Sequence, residues 1–348
     1  MSDSVNNSNC TILAPYMQIR EKITFFILLL VVGFLFLGSL TFGSVDIPFE
    51  EILNILSGEV APKRSWTLIV EARLTASLTA IFAGISLSIS GLLMQNIFQN
   101  PLAGPGVLGI TSGSNLGVAL VFLFAGSQSN VVALSVTAAI LGALSVLFLI
   151  IGISLRVRNN VIVLISGLML SYLCGAGVNI ILNYSDKNQI QQFVNWGFGN
   201  FSSVHPDSIF ILLSLLSGFI ILLFLLSKYW NALVLGEKFA GTLGVPVFRI
   251  RLIGILITGI LTGLVTAYCG PIAFVGIAVP HISRMLIARN NHFIMIPLNI
   301  LVGAAICLIG LIFTKYPFPL PLNAVTSLIG APVILWILIS KKAGWKNG

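Results

Sequence analysis

The sequence predicts an all-α polytopic membrane protein of about ten transmembrane helices, and three observations carry that expectation. Hydrophobic residues fill 57% of the 348 positions and charged residues only 8%, giving a mean hydropathy of +1.05, beyond the range of water-soluble domains. Apolar runs of the roughly 20 residues needed to cross a bilayer core recur from residue 23 to residue 340. The basic residues fall mostly in alternate loops between those runs.

The first run, 23–42, has spanning length and no small-residue cleavage site, so it reads as a retained span and not as a removable leader. Runs 131–154, 161–182, 208–227 and 324–340 also lack any charge, and 250–269 carries one, Arg251 at its second position. Four further runs complete the set: 68–94, with Glu71 and Arg73 near one end; the Gly-rich 107–125; 272–288, which holds Pro280, His281 and Arg284; and 296–314. The longest loops, 43–67 and 183–207, are about 25 residues each, too short for a soluble domain. The expected organisation is an N-terminal segment at 1–22, one membrane domain over 23–340 and a tail at 341–348.

Loop charge sets the expected orientation through the positive-inside rule. With both termini cytoplasmic, the inner side carries twelve basic residues: Arg20, Lys22, Arg156, Arg158, Lys228, Lys238, Arg249, Arg251, Arg289, Lys341, Lys342 and Lys346. The outer loops carry four, Lys63, Arg64, Lys187 and Lys315. The net charge of +8 is therefore spread along the loops, a topogenic pattern and not a nucleic-acid-binding face.

Several chemistries are disfavoured. The four cysteines, Cys10, Cys174, Cys269 and Cys307, have no metal-ligand spacing, and no phosphate-binding loop, nucleophile elbow or HExxH motif occurs, so no catalytic, metal or cofactor-binding residue is expected on this chain. Besides Arg251 at the start of its run, the ionisable groups within spans are Glu71, Arg73, His281 and Arg284, all near span ends. Proton-coupled transporters need titratable groups deep in the bilayer, which argues against secondary transport. For His281, packing or capping is the expected role.

Two stretches dense in Gly and Pro interrupt the helical pattern at related places, NPLAGPGVLG at 100–109 and CGPIAFVGIAVPH at 269–281. Unpaired backbone at membrane depth must face protein or a water-filled path, so these breaks mark the expected route. Their placement suggests an inverted repeat relating spans 2–5 to spans 7–10. Single glycines such as Gly84 and Gly142 read as close-packing positions.

The inner loop 228–249 is too polar to span, and its LGEKFAGTLG segment reads as a short helical hairpin around Gly236, Gly241 and Gly244. A partner needs a compact element of this kind to push on. Glu237 stands among Lys238, Arg249 and Arg251, and is expected to pair with a basic partner.

Four long segments, residues 90–117, 235–245, 270–286 and 327–338, together resemble the FecCD family of binding-protein-dependent importer permeases, whose members carry iron-siderophores, haem and cobalamin. The resemblance implies a dimer with a second copy or a paralogous permease, two cytoplasmic ATPase subunits that hold the ATP and Mg, and an extracytoplasmic binding protein, in a bacterial inner membrane. It implies ATPase coupling through Gly236, Glu237, Lys238, Ala240 and Gly244. It places an inner gate at Asn100, Pro101 and Leu102 and a second at Asn159 and Asn160. It also implies binding-protein docking through Arg73 and Lys315. Departures lie on the outer half: Glu71 to Ala76 lacks a second arginine, Gly310 replaces a usual aspartate, and the loop before the last span is short.

Overall fold

The computed structural model describes residues 8–43, 45–58, 63–125, 131–157, 159–315 and 319–342. Asp3, Arg158, Lys346 and parts of the expected N-terminal segment and tail lie outside the described residues, as do the side chains of Cys10, Arg64, Lys341 and Lys342.

Every regular element among the described residues is helical. In chain order these are α1 (Ser8–Thr41), α2 (Phe49–Leu56), α3 (Arg64–Ile97), α4 (Ile110–Ala125), α5 (Val131–Arg156), α6 (Asn160–Asn183), α7 (Lys187–Gly197), α8 (Pro206–Leu225), α9 (Ser227–Val234), α10 (Glu237–Thr242), α11 (Val247–Cys269), α12 (Val275–Leu286), α13 (His292–Phe313) and α14 (Leu322–Lys342), with a 3₁₀ turn at Pro105–Leu108 ahead of α4. Seven of them, α1, α3, α5, α6, α8, α11 and α13, are long and apolar enough to cross a membrane. The other three expected runs form the shorter apolar helices α4, α12 and α14. Two of these, α4 and α12, are short because the Gly- and Pro-rich breaks consume their first turns.

Four small helices lie where the sequence predicts loops or a hairpin. In the expected outer loops, α2 turns Ile52 into a cluster with Leu40, Ile47 and Val70. Helix α7 starts at Asp186, whose backbone N–H donates to Gln189 Oε1 at 2.8 Å, half of the reciprocal arrangement that caps helix starts. Helices α9 and α10 occupy 227–242.

Helix α3 is the centre of the bundle: 89% of its apolar window is buried, against 11% for α1 at the edge. A helix apolar all round is what such a central site requires. The packing is paired. α3 packs on α13 as α11 packs on α5; α4 packs on α5 and α6 as α12 packs on α13 and α14; α3 packs on α12 as α11 packs on α4. These contacts among α3–α6 thus have counterparts among α11–α14, the pattern expected of a repeat.

Glycines bring these helices into backbone contact. A Cβ built on Gly84 would stand 2.1 Å from the Gly303 carbonyl oxygen, one on Gly91 1.6 Å from that of Gly276, and one on Gly113 2.4 Å from that of Gly142. Small residues at such crossings replace the hydrophobic drive that lipid cannot supply. The two breaks also meet: a Cβ on Gly104 would strike Ile277 Cγ1 at 2.5 Å, and one on Gly276 would strike Pro105 Cδ at the same distance. Their backbone groups therefore face protein and not lipid, as an irregular segment at membrane depth must.

Candidate functional site

At one end of the bundle a polar seam joins the break segments to the 228–249 loop. It starts at α10, whose limits follow from backbone conformation: Gly236 has φ +100° and Gly244 φ +77°, values that a residue with a Cβ rarely adopts. Between these bends, Ala240 is fully buried, while Phe239 and Leu243 are 50% and 60% exposed; Leu235, just before the first bend, is 64% exposed. Phe239 and Leu243, four residues apart, expose an apolar stripe away from the bundle, and Leu235 adds a third exposed apolar side chain at the preceding bend.

Behind the stripe, Glu237 turns inward. Its carboxylate accepts a 2.7 Å hydrogen bond from Asn160 Nδ2 and lies 4.0 Å from Arg251 Nη1. Arg251 also donates to Asn160 Oδ1, and Asn160 Nδ2 donates to the Ile97 carbonyl at 3.0 Å. Arg251 is 3% exposed, packed over the Phe248 ring at 5.5 Å. The start of α6, the end of α3, the loop helix α10 and the second turn of α11 are thereby tied through one asparagine. The residue before it, Asn159, caps α6 by accepting from Val161 N at 2.9 Å.

The 100–103 turn is fixed separately. Asn100 Oδ1 accepts from Leu102 N at 2.9 Å, a local turn that Asn side chains favour. His281 Nε2 lies 2.8 Å from the Pro101 carbonyl; a carbonyl only accepts, so Nε2 carries the proton. Asn100, Pro101 and Leu102 are all exposed. Next to the turn, Asn96 Nδ2 donates to the Trp230 carbonyl at 3.0 Å, Gln99 Nε2 donates to Leu233 O at 2.9 Å, and Gln95 Nε2 donates to Ile277 O at 3.2 Å.

Three expected site residues are engaged within their own chain. Ala240, expected to touch an ATPase, has no exposed surface; its small side chain lets α10 lie against the bundle. Glu237, expected to reach a basic partner, is held by Asn160 and Arg251 of its own chain. Arg73, expected to be an outward docking cation, is 5% exposed. Its guanidinium donates to the carbonyls of Leu40 at 2.8 Å, Thr41 at 3.0 Å and Val45 at 2.6 Å, closing the C-terminal end of α1. Gly43 leaves room for it, since a Cβ there would meet Nη2 at 2.5 Å. Lys315 stands beside it on a cavity of about 340 Å³, where burial and the nearby Arg73 lower the lysine's pKa.

Sequence reasoning missed Arg251, which it counts as a topogenic loop charge, and the Gln95, Asn96 and His292 group. The available signal was position: a cation at the second position of an apolar run, and amides just past the end of another. Among the described residues no cluster of His, Cys, Asp and Glu has metal-site geometry. Cys174, Cys269 and Cys307 are buried free thiols.

Two mutually packed helical halves with interlocked breaks, and a polar seam at one end, define a polytopic membrane protein of transporter architecture. The chain belongs to the FecCD transport family, whose model matches residues 28–340, and is a permease of the ABC type. It is similar to the hemin transport system permease protein HmuU of Yersinia pestis, 32% identical over 331 residues, covering 93% of this chain and 97% of that one. It is also similar to the vitamin B12 import system permease protein BtuC of Escherichia coli, 32% identical over 297 residues, 84% of this chain and 89% of that one. A solved metal-chelate type ABC transporter in an inward-facing conformation superposes with a TM-score of 0.78 at 29% identity, covering 92% of this chain and 99% of that one. PsaBC from Streptococcus pneumoniae, at 19% identity and a TM-score of 0.55, covering 83% and 94%, shares the fold.

Proposed function

We propose that this chain is the membrane half of an ATP-driven importer that takes an iron-siderophore or related large chelate from an extracytoplasmic binding protein. It works as a pair, with itself or a paralogous permease, above two ATPase subunits that hold ATP and Mg. The chain has ten spans in a bacterial inner membrane, with both termini and the 228–249 loop cytoplasmic. ATP binding on the partner moves α10 and, through Glu237, Asn160 and Ile97, shifts the turns at Asn100 and Asn159, giving alternating access.

The single observation that carries this reading is α10 itself: a six-residue helix between two positive-φ glycines, with an apolar stripe outward and a hydrogen-bonded carboxylate inward. A helix this short has no stability alone. An outward apolar stripe is the anchor a partner's groove needs, and an inward polar link passes its displacement to α6 and α3. Docking of the binding protein uses Lys315 and the outer ends of α2 and α3.

Haem or cobalamin import by the same mechanism is the second reading, supported by the similarity to HmuU and BtuC. Reconstitution in liposomes with the cognate ATPase and binding protein tests both. ATP-dependent uptake of one ferric chelate is the expected outcome. Uptake of haem or cobalamin alone selects the second reading, and uptake driven by an ion gradient without ATP overturns both.

A further inference from the structure

We infer that Arg284 and the cavity it lines receive a carboxylate side chain of the ATPase partner, a contact separate from the α10 stripe. The inference rests on the reading above that an ATPase docks at this end, and names the chemistry of one further contact.

A cavity of about 260 Å³ opens between the ends of α3, α12 and α13 and the end of α9. Gln95, Gln99, Pro101, Val234, Arg284 and Asn290 are among its walls, with His281 and His292. Arg284 donates through Nη2 to the Gln95 side-chain oxygen. No carboxylate lies within ion-pair distance of it among the described residues. The two imidazoles do not compensate it, since a histidine is either neutral or cationic. His292 lies 3.0 Å from Asn231 Oδ1 through Nδ1, while Asn96 Nδ2 approaches its Nε2 at 3.3 Å, which fixes a neutral ring with the proton on Nδ1. The cavity is thus a half-enclosed cationic pocket without an anion. Removing a guanidinium from water without a counter-charge is costly, and a planar carboxylate is the group that matches its remaining N–H donors.

The position of the mouth selects a protein carboxylate as the occupant. Val234, on its wall, ends α9 next to Leu235, the first residue of the exposed stripe. A protein seated on Leu235, Phe239 and Leu243 therefore covers the opening. The surrounding face is cationic: Lys228, Lys238 and Arg249 are exposed. Among the described residues its acidic groups are already engaged, Glu21 with Arg289 at 2.9 Å and Glu237 with Arg251 at 4.0 Å. An acidic partner surface fits this face, and its innermost carboxylate fits the pocket.

The test uses the full permease in lipid nanodiscs with its ATPase. In R284K, a carbodiimide joins the introduced amine to a carboxylate with no spacer. The expected result is an isopeptide link to one Asp or Glu of the ATPase, found by mass spectrometry and absent from the wild type. R284Q, shown to be monodisperse and to melt near the wild-type temperature, should weaken ATPase binding about tenfold and flatten its salt dependence, with R284K close to wild type. Wild-type affinity and salt dependence in R284Q, or no new ATPase link in R284K, overturns the inference. Coupling of the R284K amine to a lipid phosphate instead also overturns it. If the wild-type permease fails to bind the ATPase at all, the docking reading falls and the inference with it; that outcome is distinct from unimpaired binding by R284Q.

Discussion

Asn160 donates to the Glu237 carboxylate at 2.7 Å across a sequence separation of 77, so a helix start inside the bundle and a helix outside it share a hydrogen bond. The same amide nitrogen reaches Ile97 O at 3.0 Å, and the oxygen accepts from Arg251. Four helices therefore register against one side chain, and displacement of α10 has a defined route into the membrane.

Breaking that link should uncouple and not merely unfold. Glu237→Gln keeps the shape and the acceptor for Asn160 but removes the charge opposite Arg251. ATP hydrolysis by the complex should persist while transport falls on the order of tenfold. A double-mutant cycle with Arg251→Gln should give a coupling of about 0.5–3 kcal/mol in thermal melts, as for residues in one network. Strict additivity would show that the pair is not an energetic unit.

Removing the stripe should act on assembly. Phe239→Ser or Leu243→Ser leaves the buried face of α10 intact, yet truncating a central interface anchor costs about 2 kcal/mol or more, roughly thirtyfold in affinity. Equilibrium binding of the ATPase to nanodisc-held permease reads this directly. Unaltered binding by both variants would place the docking surface elsewhere.

Arg73 should behave as a structural residue. Arg73→Ala removes donors from the carbonyls of Leu40 and Thr41 at the end of α1 and of Val45 just beyond it, and hydrogen bonds to charged groups are worth about 1.5–3 kcal/mol each when not replaced by water. With partial rehydration, a loss of about 2–3 kcal/mol in total is expected. Melting should drop while binding-protein affinity, measured on the surviving folded fraction, stays within about twofold. A large affinity loss at unchanged melting would restore the docking role.

Lys315 should give a pH signature. Its folded pKa lies below the ordinary value of 10.5 because burial and Arg73 disfavour its charge. The unfolded chain then binds more protons in the alkaline range below 10.5, so stability rises with pH there. Lys315→Met should abolish that rise in melts taken across the alkaline range. An identical rise in the variant would assign it to another group.

Gly91→Ala should prevent folding. The added Cβ would stand 1.6 Å from the Gly276 carbonyl oxygen, which is backbone and has no rotamer to yield. Gly218, with nothing within 4 Å, is the matched control, and Gly218→Ala should accumulate normally in membranes.

The hydropathy pattern located nine apolar runs to within a few residues, because a bilayer imposes a length that a periodic argument can measure, and the first at its C-terminal end only, since α1 extends back to Ser8. It did not resolve α2, α7, α9 or α10, whose 6 to 11 residues offer too few turns for an amphipathic period to stand out. The bends at Gly236 and Gly244 were legible since only glycine suits their φ. The roles of Ala240 and Arg73 were not, because burial is a property of the packed bundle. Arg251 shows the same limit: its partner Asn160 is 91 residues away, and alone the arginine looks like any topogenic cation.

The meeting of the two breaks also bears on how such a chain can evolve. Gly104 abuts Ile277, and Gly276 abuts Pro105, with no space for a side chain on either glycine. A change on one side is tolerated only with a compensating change on the other, so the two halves are constrained to change together at this spot. The segments where the helices stop are therefore where the sequence is least free to drift.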